Sequence, residues 1–106
     1  MFVLLDRNKI LEDILDIEAQ MSIMKKNPAY KVTQRNLRYL EEKRFGTKDI
    51  TVDSPEDLGV KLSMRRNSLE FKNTILRYRE KQTVFDEQIN ELGSRRVHLI
   101  KQLFPA

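Results

Sequence analysis

An apolar repeat of seven residues runs through the C-terminal half of the sequence. Its positions advance alternately by four and three residues, and eight of the ten are apolar. This spacing places one stripe of side chains along a single helix face, as packing against another helix requires. We therefore predict a long helix that is stabilised by what it packs against. This heptad stripe consists of Phe71, Ile75, Tyr78, Gln82, Phe85, Ile89, Leu92, Arg96, Leu99 and Leu103.

The N-terminal quarter carries a shorter stripe with the same spacing. Asp6 is expected to cap its helix, and Asn27-Pro28 to separate it from a second helix, because Asn caps helices and Pro suits the first helical position. We predict an N-terminal arm of two helices, about 6–26 and 28–45, with a single helix kinked at Pro28 as the alternative. The stripe consists of Ile10, Ile14, Ile17, Met21 and Met24, widened by Leu11 and Leu15.

The start of the long helix is predicted from capping residues. Gly46 is expected to end the arm, and residues 46–54 are interpreted as an extended crossover loop. Ser54-Pro55-Glu56-Asp57 is typical of a helix start, and proline is then absent until Pro105. The sequence thus predicts one helix over about 55–103. The predicted fold is all-α and forms one domain over 1–106, an elongated helical hairpin or coiled-coil bundle.

A second apolar row is predicted along the long helix, beside the heptad stripe. It contains Leu62, Leu69 and Leu76, and continues after a gap with Val97 and Phe104. Such a wide apolar face indicates contact with two neighbours, one of them from a second chain. Gln82 and Arg96 interrupt the stripe, either to fix register and oligomeric state or because the stripe opens to water there. The predicted interface comprises the heptad stripe together with Leu62, Leu69, Leu76, Ile10, Ile14, Ile17 and Met21.

The sequence predicts no catalytic, cofactor-binding or metal-binding site. His98 is the single histidine and the nearest acid in sequence, Glu91, lies about two turns away, so we expect an ordinary surface histidine. Asp49 and Asp53 lack the ligand spacing of a calcium loop. Cysteine is absent, which excludes a disulfide or a thiolate site. We therefore expect a protein that is not an enzyme.

A short basic motif precedes Ser68. The run Arg65-Arg66-Asn67-Ser68 has the form of a basophilic kinase site. Ser68 also falls on the heptad stripe when the stripe is extended backwards. A buried structural position is therefore the favoured interpretation.

The charge pattern bounds the choice of partners. The chain has a formal net charge of +4, but its basic residues are dispersed among sixteen acids, whereas nucleic-acid binding favours one continuous basic face. A membrane-surface role through Met1–Leu5 and the basic doublets is a further alternative that we do not favour. We expect a soluble intracellular protein, cytoplasmic or part of a particle, whose partner is itself or another helical protein. The predicted function is a non-enzymatic coiled-coil interaction or scaffold module for oligomerisation or assembly of a larger complex. The alternative is a basic helical nucleic-acid-binding protein.

Overall fold

Three helices and one β-hairpin make up the part of the chain that the structure describes. The structure is a computed structural model that describes the backbone of residues 2–104 and the side chains of residues 7–104. The fold is mostly helical, but the prediction of an all-α chain is wrong for the segment between the helices. In chain order the elements are α1 (Phe2–Lys26), α2 (Pro28–Glu42), β1 (Asp49–Asp53), β2 (Lys61–Arg65) and α3 (Leu69–Leu103).

The chain divides into two compact units. The first unit consists of Met1–Asn27 and Phe85–Ala106, and the second of Pro28–Val84. The first therefore contains α1 and the later part of α3, and the second contains α2, the hairpin and the beginning of α3. That residues 1–106 behave as a single domain stays a prediction.

In the first unit, α1 and the later part of α3 run antiparallel. The Arg7 guanidinium lies 5.8 Å from the ring centre of Phe104, whereas Arg96 Nε lies 3.1 Å from Glu18 Oε1. Residue numbers increase along α1 while those of the contacting residues in and after α3 decrease, as an antiparallel pair requires. The two predicted stripes supply the interior of this unit, with Ile14, Ile17, Ile89, Leu92 and Leu103 buried.

The break between the first two helices lies where the sequence predicts it. α1 ends at Lys26 and α2 begins at Pro28, which confirms the two-helix arm over the single kinked helix. The amide of Asn27 donates to the carbonyl oxygen of Met24 at 3.1 Å and closes the last turn. The predicted cap at Asp6 is wrong, because α1 already begins at Phe2.

The β-hairpin is the largest departure from the predicted fold. β1 pairs antiparallel with β2 from Asp49 opposite Arg65 to Asp53 opposite Lys61. The predicted crossover loop 46–54 is therefore partly a strand, and the segment after Pro55 is not helical. Alternating side chains explain the pairing, because Ile50 and its neighbours on one face pack into the core while the other face is exposed. The core residues of the two strands are Ile50, Val52 and Met64, with Leu62 partly buried.

The loop that joins the strands is built from the residues predicted to start a helix. The amide of Ser54 donates to the carbonyl oxygen of Val60 at 2.7 Å and closes the loop. The Asp57 carboxylate accepts a hydrogen bond from the Gly59 amide at 3.0 Å. Asp57 therefore stabilises a turn instead of lying in the first turn of a helix, a role that its short side chain also suits.

α3 begins at Leu69, fourteen residues later than predicted. Ser68 Oγ accepts a hydrogen bond from the Phe71 amide at 3.1 Å, so Ser68 is the helix cap. Asn67 precedes it with φ of 61°, a conformation that Asn tolerates better than most residues. The helix continues through Gly93 and Ser94 to Leu103 without interruption.

The core of the second unit lies where α2, the hairpin and α3 meet. Leu40, Phe71 and Tyr78 are fully buried within it. Full burial of an apolar side chain contributes about 1.5–3 kcal/mol, so these positions hold the three elements together. α2 ends at Glu42 rather than at the predicted Phe45, which leaves residues 43–48 as a connecting loop. The core cluster comprises Leu40, Ile50, Val52, Met64, Phe71, Ile75 and Tyr78.

Candidate functional site

A buried polar network fixes the hairpin against the two helices of the second unit. Tyr78 Oη donates to the backbone oxygen of Asp53 at 2.6 Å. Asn36 Nδ2 lies 3.2 Å from Asp53 Oδ2 and 3.1 Å from Tyr78 Oη. Buried polar groups are costly unless paired, so these contacts define one position for α2, β1 and α3. Burial raises the pKa of Tyr78, which keeps the phenol neutral as a donor.

Lys61 completes this network at the edge of the sheet. Its Nζ lies 2.5 Å from Asp53 Oδ1, across the terminal pair of the hairpin. The hydrogen bond from Lys61 is the main cause that lowers the pKa of Asp53, with Asn36 adding to it against the opposing effect of burial. Asp53 is therefore a structural carboxylate rather than the loop ligand considered from sequence.

Contacts from α3 hold the hairpin loop in place. Arg77 pairs with the Glu56 carboxylate through two nitrogens, with Nε 2.7 Å from Oε1. Lys81 Nζ donates to the backbone oxygen of Pro55 at 2.9 Å. The loop and this face of α3 therefore satisfy each other's charges.

The turn after α2 is contacted by the segment that precedes α3, and Phe45 in this turn faces solvent. Arg66 Nη1 lies 3.5 Å from the backbone oxygen of Phe45, and Asn67 Nδ2 lies 3.4 Å from that of Gly46. Gly46 has φ of 139°, and a Cβ there would lie 2.5 Å from Arg66 Nη1. The positive φ favours glycine at this turn, since the end of the Arg66 side chain could move aside. The Phe45 side chain is 83% exposed, with the Arg44 guanidinium 5.9 Å from its ring centre.

A groove of about 400 Å³ lies between this end of α2 and the beginning of α3. Ile75 is buried in it, whereas Phe45 and Leu76 present exposed apolar surface. Arg79 Nε lies 3.2 Å from Glu41 Oε1 and joins the two sides. We call this feature the α2–α3 groove, and its residues are Glu41, Arg44, Phe45, Lys72, Ile75, Leu76 and Arg79.

The α3 side of the groove alternates apolar and basic residues. Leu69, Lys72, Leu76 and Arg79 are spaced by three or four positions, so they share one helix face. Leu69 is 75% exposed and Leu76 is 58% exposed. The face therefore offers two exposed leucines alternating with two cations, which suits a surface that is both apolar and negatively charged.

The structure distributes the predicted interface residues between interior and surface. Among the heptad stripe, Phe71, Ile75, Tyr78, Ile89, Leu92 and Leu103 are buried, and Gln82, Phe85, Arg96 and Leu99 are half-buried. Ile14 and Ile17 are buried, while Ile10, Met21 and Leu62 are half-buried. The prediction of one leucine row along a single helix is wrong, because Leu62 lies on β2 whereas Leu69 and Leu76 lie on α3. Of the predicted set, Leu69 and Leu76 are the exposed members.

Arg44, Phe45, Lys72 and Arg79 are the groove residues that sequence reasoning missed. Lys72 and Arg79 show the same seven-residue spacing as Leu69 and Leu76, and this pattern was a usable signal. Phe45 gave none, because its position depends on the turn at Gly46 and on Arg66.

A second groove, of about 500 Å³, lies within the first unit beside His98. Asp13, Asp16 and Ser94 line it with the histidine, although the sequence offered Glu91 as the nearest acid. His98 Nε2 lies 3.0 Å from Gln102 Nε2, and Asp13 Oδ1 lies 3.1 Å from Lys9 Nζ. The histidine and Asp13 are thus engaged by neighbours on their own helices rather than by each other, and we assign no catalytic role.

Comparison with protein-family models, with curated proteins and with solved structures found no match. None of the helices in the described part of the chain combines the length and apolar character that crossing a membrane demands. Among the described residues, no three His, Cys, Asp or Glu side chains group as a metal site would require. The α2–α3 groove, which brings exposed apolar and basic residues together, is the candidate functional site.

Proposed function

We propose that this chain is a non-enzymatic protein-interaction module whose second unit binds an acidic amphipathic helix in the α2–α3 groove. The observation that carries the proposal is the exposure of Phe45 and Leu76 in the groove beside Arg44 and Lys72, with Leu69 exposed further along the same face of α3. Large apolar side chains gathered at one concave place are characteristic of interaction surfaces. A helix that presents apolar residues on one face matches such a groove.

The charge of the second unit favours an acidic partner. Thirteen Lys and Arg residues and eight Asp and Glu residues lie in Pro28–Val84, a net charge of +5. Glu41 is the one acidic residue among those that line the groove, and it pairs with Arg79 rather than with Arg44 or Lys72. Charge of this kind raises the association rate and selects partners of opposite sign.

The residues that line the groove favour a helix over nucleic acid as the bound partner. Binding a phosphate backbone without sequence preference calls for a groove that is positively charged along its length. Here Ile75 and Leu76 are apolar and a carboxylate, Glu41, lines one side. A helix with leucines and glutamates satisfies both kinds of surface at once.

The first unit supports the interaction module as a pair of packed helical segments. Its antiparallel segments pack as a short coiled coil, for which the four-three spacing of both stripes is the support. This pairing buries the inner face of α1 and leaves its outer face exposed. The whole chain then works as an assembly component, as its composition predicts.

Fluorescence anisotropy of a labelled acidic helical peptide tests the proposal. The peptide carries leucines at every third or fourth position and glutamates between them, and a matched peptide has lysines in place of the glutamates. We expect the acidic peptide to bind at micromolar concentration and to weaken as salt rises, and the basic peptide not to bind. Leu76→Asp should abolish binding, while Val84→Asp, on an exposed residue outside the groove, should leave it unchanged.

Two results would refute this function. Equal binding by the wild type and by Leu76→Asp would place the peptide elsewhere on the chain. Binding of a single-stranded oligonucleotide in preference to the acidic peptide, lost in the same variant, would make the groove a nucleic-acid site. Circular dichroism of both variants shows whether the fold is intact.

A further inference from the structure

α1 carries an exposed apolar ridge on its outer face. Leu11, Leu15, Ala19 and Ile23 are spaced by four residues, so they form one continuous row along the helix. All four are exposed, Leu15 by 66% and Ile23 by 70%. Leu11 and Leu15 therefore do not widen the buried stripe, as the sequence suggested, but belong to this second surface, the α1 ridge.

Acidic residues accompany the ridge. From Ile10 to Gln20 the sequence has four acids and no basic residue. Glu12 and Asp16 follow the ridge one position further round the helix, and both are exposed. α1 therefore has the two properties that the α2–α3 groove selects, apolar side chains in a row and negative charge beside them.

We propose that the α1 ridge of one copy docks in the α2–α3 groove of a second copy, so that the chain assembles with itself. This inference rests on the proposed function and names its partner. In the contact, Leu15 and its neighbours on the ridge cover Phe45 and Leu76, while Glu12 and Asp16 approach Arg44 and Lys72. The first unit has seven basic and eight acidic residues, a net charge of −1, so the attraction comes from the local acidic stretch beside the ridge and not from the charge of the whole unit.

The proposed contact joins two different surfaces, and each copy has one of each. Such a heterologous contact closes as a reciprocal pair or a ring, or continues as a filament. It also has a testable property that a contact between like surfaces lacks. Two variants, one defective in the ridge and one in the groove, still hold between them one intact ridge and one intact groove.

Sedimentation equilibrium over a micromolar to millimolar concentration series tests the inference. We expect the wild type to associate reversibly. Glu12→Lys with Asp16→Lys, and separately Arg44→Glu with Lys72→Glu, should each weaken association by more than about tenfold, because like charges then face each other. The mixture of these two double variants should regain association, because the basic ridge of the first matches the acidic groove of the second, and the acidic ridge of the second matches the basic groove of the first. A single chain with all four substitutions should also regain association.

An uncharged pair of variants supplies the complementation experiment. Leu15→Ser damages the ridge and Leu76→Ser damages the groove, and each should be mainly monomeric alone. Their equimolar mixture should form dimers through the one undamaged ridge and groove. Glu87→Lys with Glu91→Lys, on exposed positions of α3 outside both surfaces, is the control and should associate as the wild type does.

The outcomes separate this inference from the function on which it rests. A wild type that stays monomeric throughout, while the acidic peptide still binds the groove, overturns self-assembly and leaves the interaction module standing. Association that survives both double charge reversals overturns the proposed contact, as does a serine-variant mixture that remains monomeric. Loss of association in all single-surface variants, with dimers in the serine mixture, supports it.

Discussion

The hydroxyl of Tyr78 donates a hydrogen bond of 2.6 Å to the backbone oxygen of Asp53. This contact joins the first third of α3 to the end of β1, and Asn36 from α2 approaches both residues. Three elements that are distant in sequence are thereby held at one point, which fixes α2 and α3 at the separation that the α2–α3 groove needs.

Removing this hydroxyl should destabilise the second unit without changing its shape. Tyr78→Phe leaves the Asp53 oxygen and one contact of Asn36 unsatisfied in the interior, at a cost of about 1–3 kcal/mol. Tyr39→Phe, at a partly exposed tyrosine, is the control and should cost far less. Urea denaturation measures both, and equal losses would contradict a structural role for the network.

The ion pair of Lys61 with Asp53 should appear as a pH dependence of stability. Because the folded state lowers the pKa of Asp53, the ionised carboxylate stabilises the fold above its unfolded value of about 3.9. That stabilisation is lost as the pH falls through the lower, folded value. Lys61→Met should raise the pKa of Asp53 and move acid unfolding to higher pH in a circular dichroism titration. Lys31→Met, which removes an equal charge from α2, should shift the midpoint less.

Ser68 should matter for stability as the cap of α3. Ser68→Ala removes the acceptor for the Phe71 amide and should cost about 0.5–2 kcal/mol. Ser94→Ala changes an exposed serine inside the same helix, where alanine is the better helix former, and should be neutral or slightly stabilising. Thermal melts that rank the two variants in the reverse order would exclude the capping role.

Two glycines should respond oppositely to alanine. Gly46→Ala meets both a positive φ and the Arg66 side chain, and should destabilise by about 1–3 kcal/mol and displace Phe45 from the groove. A Cβ at Gly93 would lie 3.7 Å from the Met21 side chain, an ordinary contact, so Gly93→Ala should stabilise α3 by about 0.5–1 kcal/mol. Denaturation midpoints of the two variants give the test, and a shift of the same sign in both would contradict it.

The sequence was sufficient for features that depend on local signals. Asn27-Pro28 marks the end of α1 because proline lacks the amide that a continuing helix needs. The heptad stripe marks the buried face of α3 because helical periodicity is a property of neighbouring positions. Both could be predicted without knowing any tertiary contact.

The hairpin was missed because two local signals conflicted. Ser54-Pro55 followed by two acids resembles a helix start, yet the loop closes through the Ser54 amide and the Asp57 carboxylate instead. Lys61 to Arg65 alternates polar and apolar residues, and this period of two was the signal for β2. Packing of Ile50 and Met64 against the helices stabilises the strands. This is a tertiary contact, and no local sequence pattern reports it.

The α2–α3 groove was harder to predict than either helix that forms it. Leu69 and Leu76 could be named from their spacing, but their exposure depends on where α3 begins, and Ser68 rather than Ser54 sets that point. Phe45 reaches the groove because Arg66 and Gly46 hold the turn at Phe45-Gly46. Binding surfaces of this kind arise from contacts between distant segments. The residue types of the groove could therefore be predicted from the sequence, but not which of these residues lie together.

Amide NMR of the isotope-labelled chain, titrated with the acidic helical peptide, is the most direct test of the central claim. The account predicts saturable shifts at Glu41 to Phe45 and at Leu69 to Arg79, with little change at exposed α3 residues outside the groove such as Glu87. Saturable shifts confined to other parts of the chain, or none at millimolar peptide, would contradict the assignment of the α2–α3 groove as the binding site.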